Sequence, residues 1–311
     1  RAQARAMNEI PAATRQEPLP DWLPGPWTKY DQPILSPRPG RFDSRNVYNM
    51  ATVREDGVTR MIFRGEDASE PPAAITGRLG LAESRDGIVF QREEQPVFVP
   101  QEPYESRGVE DPRLVKLAGT YWMTYTAYDG QVARLCLASS PDLRAWQRHG
   151  VLFPEFPEFN HWTKSGALLP QQVDGRWVMY FGDSQIWLAT SSDLVGWSYH
   201  GEPVMRTRPG RFDSRLIEPG PPPIWTDQGI LLIYNCADET NRYSTAAALF
   251  AHDDPRHLIA RLEHPFLEPT LPWEIEGYVP NVVFAEGLCR QDGRWLLYYG
   301  DADRCVGVAW A

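Results

Sequence analysis

The chain has 311 residues, with 41 acidic and 31 basic side chains that give a formal net charge of −10. A pI near 5.2 argues against nucleic acid as a partner, because phosphate binding needs a basic face. No stretch approaches the roughly 20 consecutive apolar residues of a membrane-spanning helix, so we expect no membrane span. The 12 Trp, 13 Tyr and 12 Phe can fill a sizeable core, and the length suits one large domain or two ordinary ones.

The N-terminus differs in character from the rest of the chain. It begins with Arg1 rather than Met, and residues 1–16 lack the apolar centre of a signal peptide. Residues 1–15 are the only segment with the pattern of a helix. We therefore predict an N-terminal extension over residues 1–20 and a single catalytic domain over residues 21–311. Localisation is not determined by these residues.

Metal and cofactor motifs are missing from the sequence. The four cysteines are widely scattered without a C-x-x-C pair, which favours buried free thiols over disulfides or a zinc site. The six histidines form no ligand motif, and no P-loop or Rossmann glycine motif occurs. We expect no metal and no cofactor.

Internal repetition is the strongest indication of the fold. Five aromatic and aliphatic runs follow one another at steps of 62, 55, 54 and 64 residues, and most are followed by a second run of small residues. These runs have the composition of β-strands. Five similar blocks predict a five-bladed β-propeller, and a two-sheet sandwich gives no reason for them. The heptapeptide PGRFDSR also occurs twice, at residues 39–45 and 209–215. The runs end at Phe63, Tyr125, Tyr180, Tyr234 and Tyr298.

Two acids stand on stiff, proline-containing strings. Asp111 precedes Pro112, which restricts its backbone, and Glu218 opens the string EPGPPP. Each has a simpler interpretation, as a turn acid that caps an amide or as a solvated residue between two blades. Arg113 and Arg134 could hold an anion or a carboxylate, or form surface salt bridges. Two acids from different blades, with aromatic platforms nearby, are the ingredients of glycoside cleavage.

Several strings in order resemble those of glycoside hydrolase family 130. They lie at residues 108–113, 124–130, 220–223, 279–284 and 298–303, and the likeness runs from about residue 33 to residue 311. The resemblance implies a five-bladed propeller that acts on β-linked mannosides. Most members are inverting phosphorylases that use inorganic phosphate and release mannose 1-phosphate, and one branch consists of hydrolases.

The resemblance also suggests roles for individual residues. Asp111 looks like the proton donor, which acts in the family through the 3-hydroxyl of the mannosyl ring. Arg134 and Lys164 fall where the family has basic residues near the attacking group. The residues expected to bind substrate are Asn46, Asn49, Arg64, Arg134, Lys164, Tyr234 and Asp303.

The sequence departs from the phosphorylase pattern around Glu218. Where phosphorylases usually carry a Lys-Ile-Gly-x-Gly string, this chain has Leu216 in place of the lysine and Glu218 in place of a glycine. A Tyr-His-Gly string is likewise replaced by residues 234–236, Tyr-Asn-Cys. One unit charge at about 4 Å is worth roughly 4 kcal/mol at an effective dielectric of 20, which disfavours a phosphate dianion. The string EPGPPP instead resembles the hydrolytic branch, in which Glu218 would activate water.

The sequence thus predicts an inverting, exo-acting β-mannosidase, and we expect its substrate to be a β-mannoside oligosaccharide with β-1,2 linkages. One alternative is a mannoside phosphorylase in which Arg134, Lys164 and Arg215 hold phosphate. Others are a non-catalytic sugar-binding propeller and a furanosidase-type propeller with three acids. Linkage specificity is expected from loops 155–162 and 238–243, since specificity varies in loops. Whether the chain forms a homo-oligomer is left open.

Overall fold

The computed structural model describes residues 18–67, 76–157 and 162–311. In these residues five antiparallel sheets follow one another along the chain, which confirms the five-bladed β-propeller. The expected helix at residues 1–15 lies outside the described residues, as do most of the expected extension and part of loop 155–162.

Each blade is built from consecutive strands, with the first strand innermost. Blade 1 comprises β2 (Asn46–Glu55), β3 (Val58–Glu66), β4 (Arg78–Ser84) and β5 (Gln91–Arg92). Blade 2 comprises β6 (Gly108–Leu117), β7 (Thr120–Tyr128), β8 (Ala133–Ser140) and β9 (Gln147–Val151). Blade 3 comprises β10 (Ala167–Leu168), β11 (Trp177–Phe181), β12 (Trp187–Ser191) and β13 (Trp197–Tyr199).

Blade 4 carries one extra short strand, and blade 5 borrows its outermost strand from near the N-terminus. Blade 4 comprises β14 (Leu216–Pro219), β15 (Ile224–Thr226), β16 (Gly229–Ala237), β17 (Tyr243–Phe250) and β18 (Leu258–Arg261). Blade 5 comprises β19 (Val283–Gln291), β20 (Arg294–Asp301), β21 (Cys305–Trp310) and β1 (Thr28–Lys29). A 3-10 helix (Pro103–Glu105) precedes blade 2, and helix α1 (Pro272–Ile275) precedes blade 5.

The ring is closed by pairing between the two ends of the described chain. Thr28 pairs with Trp310 and Lys29 with Ala309, so β1 completes the blade that β21 would otherwise leave open. The inner strand β2 packs against both β6 and β19, which joins blade 1 to blades 2 and 5. Closure covers the edges that an open sheet would expose.

Buried acids anchor four of the blades in the described residues. In blade 4 the fully buried Asp213 accepts hydrogen bonds from the Tyr234 hydroxyl at 3.0 Å and from Arg208 and Arg261. In blade 1 Asp43 is held in the same way by Arg38 and Arg92. Asp43 and Asp213 belong to the two copies of PGRFDSR, so the repeated heptapeptide has a structural explanation.

The same arrangement recurs with glutamates in blades 2 and 5. Glu105 accepts from the Tyr125 hydroxyl at 2.6 Å and from Arg148 Nε at 2.9 Å. Glu274 accepts from the Tyr299 hydroxyl at 3.0 Å and from Lys29 Nζ at 2.7 Å. In each of these blades the cation comes from the outermost strand and the tyrosine from a middle strand. A buried charge is tolerated when it is paired and fully hydrogen-bonded, and these anchors meet that condition.

The tyrosine of the blade 4 anchor is one of the residues that the sequence predicts to bind substrate. Tyr234 was expected to bind substrate, but its side chain is fully buried and its hydroxyl is engaged by Asp213 and Arg261. It occupies the same role as Tyr125 in blade 2. Side chains alternate between the two faces of a strand, so it is the neighbouring Asn235 that faces the other way, where it bonds the backbone of Ala285 in blade 5.

Candidate active site

The inner strands of three blades contain a bulge at the same level. The pairing register shifts by one residue at Asn49 in β2, between Glu110 and Arg113 in β6, and at Glu286 in β19. Asn49 and Asp111 take positive φ angles of 42° and 48°, conformations that non-glycine residues rarely adopt. A bulge re-aims a side chain, and here it does so with three polar residues on strands that line the centre of the ring.

Blade 3 follows the same pattern, whereas blade 4 does not. Ser165, two residues before β10, has a φ of 58°. Gly182 donates its N–H to the Lys164 carbonyl, and this contact is one residue out of register with the β10–β11 pairs. In blade 4 the β14–β16 register runs on unbroken through Glu218. The five inner strands therefore align at residues 48–50, 110–112, 164–166, 218–220 and 285–287. Glu110, Lys164 and Glu218 occupy corresponding positions in three consecutive blades.

Asp111 and Lys164 form an ion pair between blades 2 and 3. Lys164 Nζ lies 3.1 Å from Asp111 Oδ2, and the Asp111 side chain is only 4% exposed. Burial would raise the pKa of Asp111, but the charges of Lys164, Arg113 and Arg64 outweigh it and lower this pKa below its ordinary value. In the free protein Asp111 is therefore a carboxylate.

Glu218 lies next to this pair, under different electrostatic conditions. Its Oε2 accepts a 2.7 Å hydrogen bond from the Ser165 hydroxyl, and its side chain is buried. Burial raises the pKa of Glu218 to about 7, with Lys164 acting against the rise and the carboxylates of Asp183 and Asp111 adding to it. Two neighbouring carboxyl groups with pKa values pushed apart are suited to acid and base chemistry.

Arg64 organises the second half of the site, between blades 1 and 2. Its guanidinium lies 2.8 Å from Glu66 and 2.9 Å from Glu110, and it donates a 3.2 Å hydrogen bond to Asn49 Oδ1. Asn46 donates to the other oxygen of Glu66 at 2.7 Å. This half presents an array of hydrogen-bonding groups of fixed direction, of the kind that recognises sugar hydroxyls.

Asp303 joins the same cluster from blade 5. It follows β20 with a φ of 51°. Burial raises the pKa of Asp303 to about 7, with Arg64 opposing this change and Asp111 adding to it. Arg64 and Asp111, with Glu66 and Lys164, thus act on a residue that comes from near the C-terminal end of the chain.

Seven of the nine sequence-predicted site residues converge on this cluster. They are Asn46, Asn49, Arg64, Asp111, Lys164, Glu218 and Asp303. Arg134 and Tyr234 do not join it by the contacts described. Arg134 lies on the third strand of blade 2 and forms a 2.6 Å ion pair with Asp129, beside a groove of about 630 Å³ that Tyr104 and Phe153 also line. It forms the partly exposed salt bridge that the sequence left open as an alternative.

Four cluster residues were not predicted from the sequence: Glu66, Glu110, Ser165 and Glu286. The aromatic runs that repeat in the sequence lie on the second strands of the blades. An alignment of the inner strands of the blades places Glu110, Lys164 and Glu218 at the same position. Arg113, which the sequence left between anion binding and a surface salt bridge, forms a buried ion pair of 2.7 Å with Glu286.

Residues 18–67, 76–157 and 162–311 are the part of the chain that the structure describes. In that part of the chain no group of three or more His, Cys, Asp or Glu side chains is placed to hold a metal ion. Nor does any helix there have the length and hydropathy needed to cross a membrane. All four cysteines are buried and free.

The fold and the carboxylate cluster define a propeller of the carbohydrate-active class. A model of the family described as beta-1,4-mannooligosaccharide phosphorylase matches residues 30–311. The chain belongs to glycoside hydrolase family 130.

Some relatives of this chain are named as phosphorylases and others as hydrolases. A 1,2-beta-oligomannan phosphorylase of Thermoanaerobacter sp. (strain X514) is 40% identical over 90% of this chain and 94% of its own length. The structure of a glycosyl hydrolase from Bacteroides ovatus is 35% identical, with a TM-score of 0.88 over 94% of this chain and 95% of that one.

A further similar structure comes from work on this family. Its description says that this family of mannoside phosphorylases contains glycoside hydrolases that target beta-1,2 mannosidic linkages in Candida mannan. It is 35% identical, with a TM-score of 0.89 over 95% of this chain and 96% of that one. The curated relatives are named as phosphorylases, so their names fit the phosphorylase alternative better than the hydrolase prediction.

Proposed function

We propose that this protein cleaves β-1,2-linked manno-oligosaccharides from one end, with inversion at the anomeric carbon. Support for the substrate comes from the names of the relatives, which refer to β-1,2-linked mannans and mannobiose. Support for cleavage comes from the buried cluster around Asp111 and Glu218. The proposal includes a single catalytic domain over residues 21–311, preceded by an extension over residues 1–20.

Water is the proposed nucleophile, and the position of Glu218 is the observation that carries this choice. A buried carboxyl group lies within reach of Ser165 and Lys164, where a phosphate-binding site would need positive charge. Leu216 lies two residues earlier on β14, on the same side of the strand as Glu218, and adds no charge. When ionised, Glu218 would repel a phosphate dianion and could accept a proton from water.

The proposed acid is Asp111, acting through the mannosyl 3-hydroxyl as the family resemblance implies. Its lowered pKa keeps it ionised in the free protein, so donation requires that Asp111 first gains a proton in the substrate complex. Lys164, at 3.1 Å, keeps its own proton: burial would lower the pKa of Lys164, but the charges of Asp111 and Glu218 raise it well above its ordinary value, so the proton on Asp111 would have to come from solvent as the substrate binds. The remaining groups, Arg64, Asn46, Asn49 and Asp303, would hold the mannosyl ring.

Phosphorolysis is the second candidate, and the names of the curated relatives favour it over hydrolysis. In this chain Lys164 and Arg215 would be the cations available to phosphate. Arg134 is paired with Asp129 away from the cluster, whereas Arg215 donates to the hydroxyl of Tyr243, a residue on which Lys164 and Glu218 also act. Phosphate binding would then require Glu218 to be protonated, which a pKa of about 7 allows near neutral pH.

One experiment separates the candidates. Linkage-defined β-1,2-, β-1,3- and β-1,4-mannobioses are incubated with the enzyme in phosphate and in phosphate-free buffer. Hydrolysis predicts free mannose at equal rates in both buffers, released first as the α-anomer in proton NMR spectra. Mannose 1-phosphate formed only with phosphate would establish phosphorolysis instead. If no mannobiose is cleaved, a panel of arabinosides and fructosides tests a furanosidase, and inactivity on all of them would leave a sugar-binding propeller.

A further inference from the structure

Arg113 is a fully buried cation at the centre of the ring, with a side chain only 1% exposed. Its guanidinium donates to three backbone carbonyls: from Nη1 to Asp111 at 3.1 Å, from Nη2 to Pro219 at 2.6 Å and from Nε to Gly220 at 3.1 Å. Nη1 also lies 2.7 Å from Glu286 Oε1. One side chain thus contacts the inner strands of blades 2 and 5 and the segment at the end of the blade 4 inner strand.

These contacts fall on the backbone of the two proposed catalytic groups. Asp111 is bonded through its own carbonyl, and Pro219 is the residue directly after Glu218. A guanidinium is planar, and its donors point in fixed directions, unlike the single point charge of a lysine. Arg113 therefore fixes the distance between the backbone segments that carry Asp111 and Glu218, and also their relative orientation.

The local backbone at both places needs such support. Asp111 has a φ of 48°, a conformation that costs free energy for a residue with a Cβ atom. Gly220 lies so close to other backbone that a Cβ there would be 2.8 Å from the Ile233 carbonyl oxygen and 2.9 Å from that of Ala285. Small displacements of either segment would move the carboxyl groups of the site.

Glu286 is the counter-ion of this buried guanidinium: burial raises the pKa of Glu286 well above its ordinary value, and the charge of Arg113 at 2.7 Å acts against that rise. It is fully buried, and its ion pair with Arg113 joins blade 5 to blade 2. Arg113 also contributes to the lowered pKa of Asp111. Removing one member of a buried pair leaves the other charge uncompensated, so the two residues act as a unit.

We propose that Arg113, with Glu286 as its counter-ion, is a positioning residue that sets the relative placement of Asp111 and Glu218 for catalysis. This inference rests on the function proposed above. Arg113 reaches neither carboxyl group by a side-chain hydrogen bond in the structure. Its effect would therefore appear in the rate of the chemical step rather than in substrate binding.

The test compares Arg113→Lys with Arg148→Lys in the full chain. Arg148 is a matched control, because it too holds a buried glutamate and a backbone carbonyl, in the anchor of blade 2. For Arg113→Lys we expect kcat to fall by about 100-fold with little change in KM, since small misplacement of reacting groups has effects of that size. For Arg148→Lys we expect a lower melting temperature and an unchanged kcat.

Two further measurements make the test independent of whether Arg113→Lys folds and of whether it turns over substrate. If Arg113→Lys does not fold, Glu286→Gln replaces it, because it keeps the guanidinium and an oxygen acceptor; we expect a smaller loss in kcat with unchanged KM. Crystal structures of the variants give a result that does not depend on turnover: Asp111 should leave its left-handed conformation or shift relative to Glu218 in the Arg113 or Glu286 variant, and stay in place in Arg148→Lys.

The outcomes distinguish this inference from the proposed function. A wild-type enzyme that cleaves mannosides, with Arg113→Lys matching it in kcat, overturns the positioning role and leaves the function intact. An unmoved Asp111 in the variant crystal structure overturns it as well. A wild-type enzyme inactive on every mannoside overturns the proposed function, and the crystal comparison still decides whether Arg113 positions the two residues.

Discussion

Ser165 donates a 2.7 Å hydrogen bond to Glu218, and this bond crosses from the third blade to the fourth. Ser165 has a positive φ of 58°, which turns its side chain toward the neighbouring blade. The residue before it, Lys164, contacts Asp111 in the second blade. Two consecutive residues of blade 3 thus connect the two proposed catalytic carboxyl groups.

Glu218→Gln should abolish most turnover without unfolding the protein. The amide keeps an oxygen to accept the Ser165 hydrogen bond, but it cannot take a proton from water. We expect kcat to fall by about 10²- to 10⁴-fold, the usual contribution of a general base, with an unchanged melting temperature. Glu263→Gln, at a surface glutamate whose side chain is 60% exposed, is the matched control and should retain full activity. Normal turnover by Glu218→Gln would refute the proposed mechanism.

The dependence of kcat/KM on pH should reveal the role of Glu218. With a pKa of about 7, Glu218 is ionised above that pH and protonated below it. A base works only when ionised, so kcat/KM should fall as the pH drops below about 7. If Glu218 were the acid, the fall would come above that pH instead.

Asp303 must be separated from Glu218 in this measurement, because burial also raises its pKa to about 7. Asp303→Asn removes that second titration. The residual activity of this variant should keep the same acidic limb if Glu218 controls it. Loss of the limb in Asp303→Asn would assign it to Asp303.

Replacing Leu216 by Lys and Glu218 by Gly together should shift the reaction toward phosphate. The double change restores the two features of the phosphorylase string in which this chain differs, adding one positive charge and removing one negative charge on the same side of β14. We expect mannose 1-phosphate to form from mannobiose in phosphate buffer at a rate that the wild type does not reach. If only mannose forms, the nucleophile is not decided at these two positions.

Tyr234→Phe should affect stability rather than substrate binding. The change removes a buried hydroxyl that donates to Asp213 and accepts from Arg261. We expect a loss of about 1 kcal/mol in the free energy of unfolding, the usual net value of one hydrogen bond, and an unchanged KM. A raised KM with unchanged stability would restore Tyr234 as a substrate-binding residue.

Asp213→Asn should destabilise the fold far more than the loss of a surface pair. Asp213 is fully buried and contacts Arg208 and Arg261, so neutralising it leaves two partly buried cations without their buried carboxylate. We expect a loss of about 3–5 kcal/mol in denaturant unfolding. Asp254→Asn breaks the exposed pair with Arg256 and should cost at most about 1 kcal/mol. Equal losses in both variants would show that the anchors do not stabilise the blades.

The blade architecture was predictable because its signals are local. The aromatic runs repeat in each of the five blocks, and most are followed by a run of small residues. In three blades the third strand leads into a turn with Ser and Asp; after β8, Ser140 and Asp142 cap this turn through hydrogen bonds to backbone N–H groups. Such features depend on neighbouring residues alone, so they can be recognised from the sequence without the structure.

The site was predictable only in part, because its residues meet across blades. Asp111 and Glu218 stood out through their proline-containing strings. The pairing of Glu286 with Arg113 did not, since nothing in the sequence around Glu286 indicates that Arg113 lies 2.7 Å away. The burial of Tyr234 was likewise not visible, because sequence does not show which face of β16 points toward the anchor and which toward the next blade.

The sequence by itself determined the number of blades, the family and the replacement of a lysine and a glycine by Leu216 and Glu218. Only the tertiary structure decided that Glu218 lies in one cluster with Lys164 and Asp111. It also decided that this burial raises the pKa of Glu218 to about 7 while the surrounding cations lower that of Asp111. The physical reason is that the pKa of a carboxyl group depends on its burial and on nearby charges, and both are set by the closure of the ring.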